Sequence, residues 1–597
     1  MKKSPIALGI LFALSQATVA QTVTEKEVIV TATRVAQTAD TALASVTVLD
    51  RQTIEKSQAT TVTDLLRGVA GIDITRNGGK GKSASVFMRG TASDHVLVLI
   101  DGVRVGSATT GTASFQYLPT SQIERIEVVR GPRSSLYGSE AIGGVIQIFT
   151  RQASKTPRIT ASVGGGSDST YQVTAGISGK NNNTWYSAYI DRFATDGFNA
   201  CAGSTSGGCY TIEPDDDAYD NTAFNVRLGQ QVSENLSIEG YMLRATGNTE
   251  HDSSRANELD FVQQVIGLKT TLDINDKVDT TLNIGQSRDE TDSFGHDKPV
   301  GVFNTETLNV SWQTNWAVSE NSIFTFGYDY KKDDIDSTVA YAIDSRDNHG
   351  YFLQYQGQYG NTDLVASIRN DDNEQFGNRS TGSIALGYRI SPTVRSFLSY
   401  GTAFKAPSFN ELYYPNFGDA NINPEESKSL ELGFAGNEKE YNWSFSVYRT
   451  EIDQLIGGYP VQNVDEATIN GIEASFGMQI AGWDVRTSFD WLKPEDDKTG
   501  NLLPRRAEKT FKLALDRQLG QWQMGADVIA QSHRFDDVKN TKRVAGYGVL
   551  DMRAEYSFNK NWSLKARIDN VFNKEYELIR HYNTPDRAYF ISVHYQN

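Results

Sequence analysis

No stretch of this 597-residue chain reaches the ~18 uninterrupted apolar residues that a membrane-spanning helix needs, and mean hydropathy is −0.43. A helical membrane protein is thereby excluded. Basic residues are too few for a nucleic-acid partner: 57 Lys and Arg against 73 Asp and Glu leave a formal charge of −16. Cysteine is nearly absent, and the two present, Cys201 and Cys209, lie close together. In an exported chain that spacing favours a disulfide closing one small loop. Zinc is the weaker reading, because no second Cys or His pair stands nearby. No Gly-x-Ser-x-Gly, His-Glu-x-x-His or paired-carboxylate pattern occurs, so an enzyme is not expected. Gly81-Lys82-Ser83 mimics the tail of a phosphate loop, but Arg76 occupies the first glycine position and no helix follows.

What is present starts with an export signal. Met1-Lys2-Lys3, an apolar run from Ile6 to Leu14 and small residues ending at Ala20 read as a signal peptide over 1–20. Residues 21–40 follow as a separate segment around the β-branched run Glu27-Val28-Ile29-Val30-Thr31-Ala32. That run should be extended, yet nothing before it offers a hairpin partner, so it gains most from adding to an open sheet edge. The bland alternative is the first strand of an ordinary domain.

From 41 to 153 the pattern is a compact α/β domain. Ser45–Leu49, Val86–Arg89, Val96–Ile100, Ile123–Val129 and Val145–Phe149 read as strands, and Thr61–Leu66 as a short helix opened by a threonine cap. From 154 to 597 period-2 segments take over. Ile266, Leu268, Thr270, Leu272 and Ile274 share one face, with Lys269, Thr271 and Asp273 on the other. Leu550, Met552, Ala554, Tyr556 and Phe558 repeat the pattern before an Asn559-Lys560 turn. Abundant Gly, Tyr and Phe leave a secreted β-solenoid or an outer-membrane barrel open. Short turns alternating with long polar stretches such as 196–221 favour the barrel, and a spanning sheet must close. At roughly 20 residues per strand and connection, this region gives about 22 antiparallel strands. The expected fold is therefore an all-β membrane barrel with an N-terminal α/β plug in its lumen. Outer membranes hold no nucleotide supply, so energy must arrive by periplasmic contact, and Glu27–Ala32 is the natural handle, with no hairpin mate expected in its own chain and its strand partner expected on another protein.

Four stretches resemble the TonB-dependent outer-membrane receptors. Glu27–Ala32 resembles the TonB box, and Ile126–Phe149 (IEVVRGPRSSLYGSEAIGGVIQIF) resembles the plug motif. Phe404-Lys405-Ala406-Pro407 with Asn423-Pro424-Glu425 resembles a barrel motif, and Asn570–Tyr576 (NVFNKEY) a C-terminal one. Within that family, Asn77–Arg104, Asn370–Gly377 and Leu503–Ala507 resemble the cobalamin receptors. The resemblance implies import of cobalamin across the bacterial outer membrane, with TonB as periplasmic partner and lipid around the barrel. It also implies ligand contacts from Ser83 and Ser85 in a first plug loop, Thr110 in a second, and Arg505 in a barrel loop. Hydroxyls and amides suit a large neutral, amide-decorated ligand. Lys80 and Lys82 dissent: they are either solvated loop charges or a greeting for an anionic ferric siderophore. A siderophore or haem receptor is the same-architecture alternative, although no histidine falls between Phe404 and Pro424. A passive porin or adhesin is the rival from another class.

Glu213, Asp215 and Asp217 alternate on a predicted outward loop, an arrangement suited to Ca²⁺. Cobalamin receptors carry a calcium-ordered loop at the matching place, which adds Asn199 to the ligand set. No other cofactor is expected. The chain ends Tyr595-Gln596-Asn597 rather than on an aromatic, with Tyr595 in phase with Tyr589, Ile591 and Val593.

Overall fold

A computed structural model of the chain describes residues 29–30 (backbone only), 34–35, 37–38, 41–201, 203–204, 213–464 and 466–597. The signal-peptide expectation and most of the Glu27–Ala32 run lie outside the described residues.

The plug is built on a five-stranded sheet. Its strands are β3 (Val46–Leu49), β6 (Val96–Ile100), β7 (Val103–Arg104), β8 (Ile123–Arg130) and β9 (Gly144–Thr150), in the order β3-β8-β9-β6-β7. Only β6 and β9 run parallel. The hairpin β4 (Ile72–Arg76) and β5 (Ala84–Met88) stands beside it. Two short helices cover one face: α1 (Arg51–Ser57), whose first turn is capped when Asp50 accepts from the Thr53 amide at 2.8 Å, and α2 (Val62–Leu66), capped by Thr61. The α1 helix was not anticipated, because Asp50 reads equally well as the end of β3. Ile54, Leu66, Ile126, Val128, Ile146 and Ile148 form the core, and Tyr241, Leu243 and Val265 of the barrel wall complete it. A plug this small gains stability by sharing apolar burial with its container.

Twenty-two strands, from Arg158–Gly166 to Ala588–Gln596, close an antiparallel barrel. The seam pairs Val163 with Val593, and Asn597 Oδ1 accepts from the Ile159 amide at 2.8 Å. Tyr595 packs on Trp562 with centroids 4.9 Å apart, so an aromatic pair anchors the strand end despite the terminal asparagine. The strands from Tyr219–Gln231 to Ser345–Tyr359 are longer than the roughly 9–11 residues a bilayer requires; Lys298–Ser319 has 22. They continue into the extracellular space, where 296–297 is a two-residue turn between two such strands. Ile266, Leu268, Leu272 and Ile274 all point outward, and Trp312, Trp316, Trp522 and Trp562 add to the exposed outer surface. That surface is a liability in water and the correct interface in lipid. No described helix is long and apolar enough to cross a membrane; the strands cross it.

One expectation is corrected here. Ile29–Val30 (β1) does find a mate in its own chain: it pairs antiparallel with Gln37–Thr38 (β2), Ile29 opposite Thr38 and Val30 opposite Gln37. The partner follows the run instead of preceding it, and two residues are too short to register as alternation. Arg34, at φ +67°, lies between the two strands.

Candidate ligand vestibule and coupling site

Two plug loops face the extracellular side, and each is moored to a different part of the wall. In the first loop, 77–83, the Asn77 amide donates to the Ser83 carbonyl at 3.1 Å. Its glycines sit against the loop after Thr184–Thr195: a Cβ on Gly81, at φ +76°, would lie 2.0 Å from the Tyr219 ring. The second loop, 106–113, packs on the barrel helix α3 (Phe409–Tyr413), whose Phe409 and Asn410 amides donate to the Ala108 and Thr109 carbonyls at 3.1 and 3.0 Å. Ser83 and Thr110 are exposed on these two loops, and Ser85 is half-buried on β5. Arg505, at φ +66°, is half-buried and held by Asp536 at 2.7 Å. Its neighbour Arg506, missed in the sequence, is the one that reaches the plug. It donates to the Gly90 carbonyl at 2.8 Å and lies 4.7 Å over the Phe87 ring. Burial lowers its pKa to about 10.

Both readings offered for Lys80 and Lys82 are corrected: neither is a solvated loop charge or a free greeting cation. Lys80 Nζ donates to Asp64 at 2.5 Å and to Thr60 at 2.8 Å. Burial opposes the Asp64 carboxylate, yet Lys80 and Arg76 hold it well below the usual carboxylate range. Lys82 is buried; its ammonium donates to the Asp217 and Ala218 carbonyls at 3.1 and 2.9 Å and to Thr249 at 3.1 Å. Burial lowers it to about 8. The loop's two cations are structural ties.

The acidic loop regroups. Glu213, Asp215 and Asp252 bring one carboxylate oxygen each within 4.8 Å of one another. Asp217, expected in this set, is not one of the three, and the side chains of both Asp217 and Asn199 are engaged by loop backbone. Asn199 donates to the Glu213 carbonyl at 2.6 Å and accepts from the Cys201 amide at 2.8 Å; Asp217 accepts from the Ala200 amide at 2.6 Å. Asp252, 35 positions and one strand pair beyond Asp217, was missed. Its Oδ2 is buried without a hydrogen-bond partner, and burial together with the Asp217, Glu213 and Asp215 carboxylates raises its pKa to about 7. A crowded oxygen set with an orphaned carboxylate oxygen fits a hard divalent cation. Cys201 is disulfide-bonded; Cys209 lies outside the described residues.

Three buried ionic clusters join plug to barrel. Arg89 donates to Glu431 at 2.7 and 2.9 Å and to Glu473 at 2.8 and 3.0 Å, and Arg130 Nε lies 3.3 Å from Glu473. Lys405 gathers Asp94 at 2.7 Å, Glu411 at 3.1 Å and Glu425 at 3.6 Å. There the Ala92 amide donates to His95 Nδ1 (3.2 Å), so His95 Nε2 donates to Glu425 (2.6 Å). The third ties down the segment beside the Glu27–Ala32 run. Arg34 pairs with Asp329 at 2.6 and 3.2 Å, lies between the Tyr137 and Phe352 rings at 4.7 and 4.2 Å, and accepts at its carbonyl from Gln313 at 2.8 Å. Asp329 also accepts from Arg369 at 2.5 Å.

The models for TonB-dependent receptor-like β-barrels and for the TonB-dependent receptor plug domain match residues 157–571 and 38–145. The chain is a TonB-dependent outer-membrane receptor. It is 32% identical over 615 residues to the vitamin B12 transporter BtuB of Photobacterium profundum, covering 100% of both chains. It is 33% identical over 625 residues to the BtuB of Vibrio cholerae, again covering 100% of each. Among solved structures it resembles the ferric enterobactin receptor PfeA of Pseudomonas aeruginosa, with TM-score 0.82 at 17% identity over 96% of this chain and 100% of that one. It also resembles the siderophore receptor PirA of Acinetobacter baumannii, with TM-score 0.81 at 18% identity over 92% and 98%. At that identity the likeness fixes the fold alone. The receptor is thus a multi-pass β-barrel of the outer membrane, in a family of transporters and receptors.

The receptor's expected ligand residues stand on different elements: Ser83 in the first plug loop and Ser85 on β5, Thr110 in the second plug loop beside α3, and Arg505 in the barrel loop after Trp483–Asp496.

Proposed function

We propose that this receptor imports cobalamin, driven by TonB through the Glu27–Ala32 segment. The observation that carries the reading is the full-length relationship to transporters named for vitamin B12. Two features of the vestibule support it. The loop lysines are turned into the protein, Lys80 onto the Asp64 carboxylate and Lys82 onto backbone carbonyls, which leaves hydroxyls such as Ser83 and Thr110 to meet a neutral ligand. The expected ligand residues, spread over two plug loops, β5 and a barrel loop, suit a broad molecule held at several points.

TonB coupling enters at the segment that Arg34 docks against the wall. A strand-forming run that leaves a two-residue pairing can add to a partner's sheet edge at small cost. Glu213, Asp215 and Asp252 would hold Ca²⁺, whose charge cancels their mutual repulsion and orders the loop above the first plug loop.

Growth of a deletion strain on cobalamin, against growth on iron-loaded siderophores, tests the ligand. Deleting residues 27–32 tests the coupling: cobalamin binding survives and uptake stops. Uptake without the segment sinks the TonB mechanism. A binding titration at low and millimolar calcium tests the cation.

A further inference from the structure

On the lipid face of the barrel, the Arg244 guanidinium has no counter-charge among the described residues. Tyr241, Leu243 and Ala245 of the strand Leu236–Glu250 are buried toward the lumen, so Met242 and Arg244 point outward. Register sets Arg244, Gln264 and Arg288 side by side on three adjacent strands. On the periplasmic side of this row the outward positions are apolar, and Ile266, Leu268 and Ile284 are 41, 48 and 40% exposed. On the extracellular side Arg244 is followed by outward Thr246 and Asn248. The row marks the upper edge of the hydrocarbon.

Other outward cations toward the extracellular rim are already spent: Arg192, Lys332, Lys428, Arg449 and Lys493 each lie within 3.6 Å of a carboxylate. Arg244 donates instead to the neutral Gln264 Oε1 at 2.7 Å. Gln264 faces outward yet is buried, so it holds the guanidinium sideways against the wall where a free arginine would reach up to water. Arg288 is partly engaged by Glu306 at 3.0 Å and Glu290 at 3.5 Å, but its Nε is buried without a hydrogen-bond partner. The two arginines stand two strands apart, about 10 Å at roughly 4.8 Å per strand.

We propose that Arg244, with Arg288 beside it, binds the phosphate of a phosphorylated glycolipid in the outer leaflet. A guanidinium presents a planar fork of donors that matches phosphate oxygens, and at the apolar edge the pair is weakly screened. A phosphate at this level lays its acyl chains along Ile266, Leu268 and Ile284 and its sugars along Thr246 and Asn248. From Arg288 to Gly295 the wall runs on for about 20 Å at roughly 3.3 Å per residue. A sugar headgroup meets that height, whereas the headgroup of a glycerophospholipid is far shorter.

Native mass spectrometry of the full-length receptor in detergent reads the site, with lipid A, a phosphorylated and acylated disaccharide, as the probe. Arg244→Gln should weaken lipid A binding at least tenfold. Arg192→Gln, at a cation already paired with Asp220, should stay within twofold of wild type. Lipid A stripped of its phosphates should bind the wild-type receptor at least tenfold more weakly, a comparison that needs no variant to assemble. Unchanged affinity for Arg244→Gln or for the stripped lipid overturns the site, as does an equal loss with Arg192→Gln. Equal binding of dioleoylphosphatidylglycerol overturns the glycolipid assignment. Displacement of lipid A by an equimolar amount of inorganic phosphate overturns the lipid assignment altogether.

Discussion

Arg34→Ala should undock the N-terminal segment without unfolding the plug. The side chain makes a two-point pair with Asp329 at 2.6 and 3.2 Å, with 9% and 15% of the two side chains exposed. Breaking a buried pair costs about 3–5 kcal/mol when the abandoned charge is left alone. Asp329 is not left alone, because Arg369 at 2.5 Å and Ser311 at 2.7 Å remain on it. The charge-assisted hydrogen bonds are then worth about 2 kcal/mol, and contact with the Tyr137 and Phe352 rings about 1 kcal/mol more. A total of about 3 kcal/mol shifts the docked-to-undocked ratio about 100-fold. A nitroxide at Gln37→Cys reads this directly: Arg34→Ala should add a narrow, mobile component to its EPR spectrum while ligand binding stays intact. Identical lineshapes in wild type and Arg34→Ala would refute the claim that this ion pair holds the segment.

The same reasoning gives a comparable cost for Glu473→Gln. It strips charge from a site where Arg89 and Arg130 are both buried, so plug docking should weaken by about 3 kcal/mol, seen as faster entry of large antibiotics through the barrel. Unchanged permeability would count against the cluster as a lock. Lys82→Met keeps the buried stem but loses three donors to Asp217, Ala218 and Thr249, each worth about 1 kcal/mol. Limited proteolysis should then cut the 213–218 segment sooner, and protection equal to wild type would refute it. Calcium affinity should depend on pH through Asp252. Its carboxyl titrates at about 7 because burial and neighbouring carboxylates disfavour the charge, and the cation needs it charged. Affinity should rise about tenfold per unit well below pH 7 and level off above it; a titration that is flat from pH 5.5 to 8 would exclude Asp252 as a ligand. Asp252→Asn should flatten the same profile.

Much of this molecule is local in origin. The alternation of Ile266, Leu268, Leu272 and Ile274 fixes which face of that strand meets lipid, because successive side chains on a strand point to opposite sides. Repeated over some 440 residues with no long apolar run, that pattern leaves a closed barrel of about 22 strands as its stable form in a bilayer. The plug strands and the α2 cap were legible for the same reason. Pairings between distant residues were not. Arg89 and Glu473 are 384 positions apart, and only the register of two strands and the seating of the plug bring them together. Lys80 and Lys82 read as loop charges because nothing within six residues of either is acidic; Asp64 and the 217–218 carbonyls arrive through the fold. Asp252 joined the acidic cluster in place of Asp217, whose carboxylate is turned to the Ala200 amide. The sequence by itself determined the solvent that each face meets, since that depends on neighbours along the strand. Which charges are spent inside the protein and which remain to meet a ligand was decided by closing the barrel around the plug, where a buried charge must find its partner wherever it lies in the chain.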